Sequence, residues 1–105
     1  MNDRELLELA AKAAGVDGDY SPRANAIVTE DGYWMPLTDD GDALRLAVKL
    51  EIAITFPHPA LVMACRGKED KGHWHKAFVS GPDDYERATR QAITYAASEI
   101  GRGMP

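Results

Sequence analysis

His73 and His75 stand two residues apart in a β-prone run, His73–Val79, so both rings project from one face of a strand. Neutral imidazoles in that arrangement suit zinc or another transition metal. A metal needs a third ligand, which His58, Cys65 or Asp70 would supply only if the fold brings it near. Without that ligand the pair is a solvated one beside Trp74, and this plainer reading outweighs the metal. No cofactor is expected. Trp74, Lys76 and Phe78 alternate on the opposite face. Two aromatics at period two usually mark the surface of a strand that faces the core, and this reading carries more weight. Lys76 must then snorkel or pair. The competing reading makes the face a binding platform, on which Arg66, Trp74 and Lys76 contact a partner.

Other residue types lend themselves less to chemistry. Arg66, Lys68, Lys71 and Lys76 form the one basic patch, and neighbouring aromatics could stack on bases. Glu69 and Asp70 interrupt it, and the net charge of −5 opposes nucleic acid, which is disfavoured as a partner. Asp39, Asp40 and Asp42 lack the spacing of a calcium loop; a helix start, where the dipole favours negative charge, explains them. Cys65 lies in an apolar run and reads as a small buried hydrophobe. No nucleophile elbow and no phosphate-binding glycine loop occurs in the sequence. The reading leans away from an enzyme, with no catalytic residue assigned.

The elements that must position these residues follow from hydrophobic spacing. With 105 residues, 45% hydrophobic and 28% charged, the chain suits a single domain, residues 1–105. One cysteine excludes an internal disulfide framework. No apolar run reaches the ~20 residues of a membrane span and no signal peptide is evident, so a cytoplasmic location and no membrane partner are expected. A helix is predicted over residues 3–14, capped by Asn2 and stopped by Gly15. A polar loop over 17–25 leads to a hairpin of Ala26–Thr29 and Tyr33–Met35 about an Asp31-Gly32 turn. A second helix is predicted over 39–51 with Asp39 as N-cap. Strands follow at 52–56, ended by Pro57, at 60–66 and at 73–79. A long helix over 83–100 is expected to stop at Gly101. The order α-β-β-α-β-β-β-α describes an α+β fold, a three- to four-stranded antiparallel sheet packed with helices in a sandwich-like arrangement. Leu46, Leu50, Ile54, Val62 and Ile93 are the expected core.

The run Trp34-Met35-Pro36-Leu37-Thr38-Asp39-Asp40-Gly41-Asp42 through Leu50, with the closing Ala88-Thr89-Arg90-Gln91-Ala92-Ile93 and Ala96 to Gly101, resembles the phage ABA sandwich domain family. These are small proteins encoded by bacteriophages and prophages. The resemblance implies an α/β sandwich and a viral or prophage origin, and it implies no catalytic residues. Function is therefore expected to be binding to a protein partner, a host or host-defence component. The alternative is a small-ligand or nucleotide-sequestering protein, or a weak metal-dependent enzyme using His73 and His75. Charge is lopsided, with eleven acids and five bases in residues 1–56 against six and seven in the rest, which is compatible with a charged partner or self-association. Leu44 and Val48 make the 39–51 helix apolar beyond one contact face, and Tyr33, Trp34 and Met35 add a cluster. A homodimer anchored on Trp34 is expected from this excess. Its rival places Trp34 in the core of the monomer.

Overall fold

Two helices begin on side-chain caps read directly from the sequence. The computed structural model of the protein describes residues 2–66 and 74–105. Asn2 Oδ1 accepts the Glu5 amide at 2.9 Å and opens α1 (Asp3–Ala14), which ends at Gly15 in the left-handed region, φ 70°. Asp39 Oδ2 accepts the Asp42 amide at 2.8 Å and opens α2 (Asp40–Leu50). That helix closes on Glu51 at φ 54°, a left-handed position taken by a residue other than glycine.

Between them lie β1 (Asp19–Ser21), β2 (Ala26–Thr29) and β3 (Gly32–Trp34), an antiparallel sheet. β1 falls in the stretch expected as a loop. Its three residues are too few to show alternation, and pairing with β2 rather than intrinsic preference makes it a strand. The hairpin turn is Glu30-Asp31, one residue earlier than expected, because Thr29 pairs with Gly32 and its hydroxyl donates to the Gly32 carbonyl. The second sheet is β4 (Ala53–His58), β5 (Leu61–Cys65) and β6 (His75–Phe78), in that order and antiparallel throughout. β4 runs through Pro57 instead of stopping before it, with its register shifted between Thr55 and His58. A proline is tolerated there because β4 is an edge strand. A 3-10 turn, Pro82–Asp84, leads into α3 (Tyr85–Arg102).

The class is α+β with antiparallel pairing, and the strands divide into two sheets with the helices between them. α1 turns Leu7 and Ala11 toward Ile27 of the first sheet, and Ala10 and Ala14 toward the main core. That core joins Leu46 of α2 and Ala88, Ala92, Ile93, Ala96 and Ala97 of α3 to Val62, Ala64 and Ala77 of the second sheet. Leu46, Val62 and Ile93 are buried as expected, while Leu50 and Ile54 pack at its edge. The core is mostly alanine, so its layers approach closely. Gly101 illustrates how closely. It lies inside α3 and is buried; a Cβ there would sit 1.9 Å from the Leu9 carbonyl oxygen of α1. Its role is the crossing of two helices rather than the helix stop expected from sequence.

Candidate binding surfaces

The register of the second sheet decides which side chains face α3. Val62 pairs with Ala77 and Ala64 with His75, and Val62, Ala64 and Ala77 are buried against the helix. The other phase, with Leu61 opposite Phe78 and Met63 opposite Lys76, lies on the outer side. Phe78 is 73% exposed and Trp74 36%. The expectation that Trp74 and Phe78 face the core is therefore overturned. The physical reason is the alanine stripe of α3: a helix surface made of Ala88, Ala92 and Ala96 sits too close to the strands for aromatic rings, and accepts Ala64 and Ala77 instead. That stripe is visible in the sequence and was the signal that could have assigned the faces.

Trp74 and Lys76 thus share one exposed face with Phe78, bordered by the half-buried Leu61 and Met63. Arg66 follows the end of β5 and is exposed. Phe78, which the platform reading did not include, is its most exposed aromatic. Among the described residues α3 packs on the inner side of this sheet.

His75 belongs to the inner phase. Its ring is partly buried, and Nε2 is shielded from solvent without a hydrogen-bond partner among the described residues. It is not the solvated histidine of an exposed pair. His73 lies outside the described residues, as do Lys68, Asp70 and Lys71. Among the described residues no three His, Cys, Asp or Glu side chains stand together as a metal site. Cys65 is buried at 3% exposure, as its apolar run suggested.

Trp34 packs half-buried against both core clusters, the position its rival reading assigned to it. One edge of it lines an open cavity of about 680 Å³ with Tyr33, Asp42 and Arg45. Asp42 there is already engaged: it accepts the Met35 amide at 3.0 Å and pairs with Arg45 at 2.8 Å.

A second surface was only half seen in the sequence. Leu44 and Val48, one turn apart on α2, are 62% and 70% exposed. Leu44 borders a groove of about 320 Å³ whose apolar walls are Ile54 and Phe56 of β4 and Tyr85 and Ile93 of α3. Phe56 is 58% exposed. Arg90 fixes the rim, donating from Nε to the Leu37 carbonyl at 3.0 Å and pairing with Asp40 at 2.5 Å. At the other end the Tyr85 hydroxyl donates to the Pro59 carbonyl, which holds the β4–β5 turn against the start of α3. Below it Asp84 accepts from the Arg87 guanidinium and from the Ser80 amide and hydroxyl, and these donors hold its carboxyl far below the usual carboxylate range. Arg87 also donates to the Phe78 carbonyl, so the junction of β6 and α3 is clamped by one ion pair.

In comparisons with known proteins, no family model, curated protein or solved structure matches the chain. No helix among the described residues is long and apolar enough to cross a membrane.

Proposed function

We propose that the protein acts by binding, as a small accessory component that engages a partner protein through the groove between α2, α3 and β4. The observation that carries this reading is the exposed apolar surface that Leu44 and Phe56 form along that groove, with Val48 exposed one turn further along α2. Large exposed apolar patches on small domains mark interaction sites. The groove is preformed, since the Arg90–Asp40 and Tyr85–Pro59 contacts hold its walls, so little ordering cost falls on this side of a complex. The shape suits an apolar segment inserted between a helix and a strand edge. The resemblance to phage-encoded proteins, carried by the two sequence segments quoted above, supports a host or host-defence protein as the partner.

The test compares proteins retained from bacterial extract by the immobilised wild-type chain and by the Leu44→Asp, Phe56→Asp variant. Both positions are exposed, so the variant keeps its fold. A protein held by the wild type and lost by the variant is the expected result, and truncating one anchor to Ala should cost about 2 kcal/mol or more of its binding. Identical retention by both chains, or no specific protein at micromolar concentration, refutes the groove as the partner site.

A further inference from the structure

The outer face of the second sheet has a chemistry of its own. The chain carries 17 acids to 12 bases, yet residues 52–66 and 74–82 contain no Asp or Glu. Residues 67–73, outside the described residues, hold two lysines and two acids, which cancel in formal charge. At the Phe78 end the nearest carboxylate in sequence that is buttressed, Asp84, is matched by Arg87. Lys76 stands exposed between Trp74 and Phe78, with Met63 and Leu61 as neighbours on β5. An acidic protein that clears one apolar, aromatic face of carboxylates and keeps a cation there presents a surface for an anion that also carries flat rings.

We infer that this face binds single-stranded nucleic acid, with bases stacked on Trp74 and Phe78 and the phosphate backbone held by Lys76. Successive side chains of one strand face are about 7 Å apart, and Trp74 and Phe78 about 13 Å. That span is too long for one base, which separates this ligand from a mononucleotide. It also exceeds the ~3.4 Å step of stacked bases in a duplex, so only a strand with splayed bases fits. The site differs from the groove, whose walls of Leu44, Ile54, Phe56, Tyr85 and Ile93 share no residue with this face.

The experiment uses the full chain with Trp34→Phe, which leaves Trp74 as the only tryptophan. A 15-nucleotide oligothymidylate is titrated at low salt while Trp74 emission is followed, and anisotropy of a labelled oligonucleotide on the wild-type chain gives the same constant should Trp34→Phe disturb the fold. Expected are quenching of Trp74, roughly tenfold or greater weakening by Phe78→Ala, and a slope of log K against log salt of about −0.7, the value for one phosphate. Lys76→Glu should abolish binding, while Leu44→Asp, which damages the groove, should leave it unchanged. The inference is overturned by no quenching and no anisotropy change up to about 100 µM, the weak end of non-specific binding. Equal affinity for heparin without quenching, for poly-glutamate or for duplex of the same length overturns it as well.

Discussion

Replacing Gly101 by alanine sets two known effects against each other. In an ordinary helix interior the change is favourable by roughly 1 kcal/mol, because glycine loses more backbone freedom on folding. Here the added Cβ meets the Leu9 carbonyl oxygen at 1.9 Å and the carbonyl carbon at 2.8 Å, both of them backbone atoms. Ordinary contact begins near 3.4 Å, so α1 and α3 must separate by more than an ångström along a seam filled by small side chains. Overpacking of this kind costs about 1–3 kcal/mol and more where backbone must move. The steric loss therefore exceeds the propensity gain, and Gly101→Ala should lower stability by about 1–2 kcal/mol net, read as an earlier urea midpoint at unchanged m-value. In a domain of this size the melting temperature should fall by roughly 4–8 °C per kcal/mol. Gly103→Ala is the control, since its Cβ would meet only carbonyl oxygens at 3.7 and 3.9 Å. A Gly101→Ala chain as stable as wild type, or more so, would show that the helices do not cross as closely as described.

Other outcomes follow from the same packing. Ile93→Ala should cost about 2–5 kcal/mol in denaturant unfolding, since Ile93 is buried in the main core, whereas Leu44→Ala should fall within about 0.5 kcal/mol of wild type. Phe78→Ser tests the assignment of faces by circular dichroism melting: an outward ring leaves stability nearly unchanged, and a loss of ~3 kcal/mol would return it to the core. The Asp84 carboxyl is held below its ordinary value of 3.8, so its clamp contributes stability that is complete above that pH and lost as pH falls below it. Acid unfolding followed by fluorescence should therefore begin at higher pH and be less steep in Asp84→Asn than in the wild type. Coincident curves would mean that the Asp84–Arg87 clamp contributes nothing.

Much of this architecture was legible because local chemistry agreed with it. Asn2, Gly15 and Asp39 announce helix ends by side-chain caps and a left-handed stop, features that need no tertiary context. What sequence spacing missed was imposed by neighbours. β1 exists because β2 pairs with it, and the end of α3 passes Gly101 because α1 needs the space that a Cβ would take. The platform was legible as residues and misread as a face. Aromatics at period two weigh heavily toward the core when a strand is read alone, yet the phase was set by the alanines of α3, ten or more residues further along the chain. Leu44 and Val48 were recognised as apolar in excess, but periodicity does not tell whether an outward stripe is covered. Trp34 offered two readings of near-equal weight, and only the packing of the first sheet on α1 places it against both core clusters.

The crossing of α1 and α3 also constrains how the chain can be made. During synthesis the strands of the second sheet emerge before the helix that covers their inner side, and α1 waits through the whole intervening sequence for the surface that buries Ala10 and Ala14. Contacts between such distant segments carry a loop-closure cost and slow the search for the native state. Until α3 leaves the ribosome, the nascent chain displays the inner residues Val62, Ala64 and Ala77 together with the open outer face, an unsatisfied sheet with both sides wet and both edges unpaired. Such an intermediate is prone to strand-to-strand aggregation, so rapid expression should leave much of the protein insoluble.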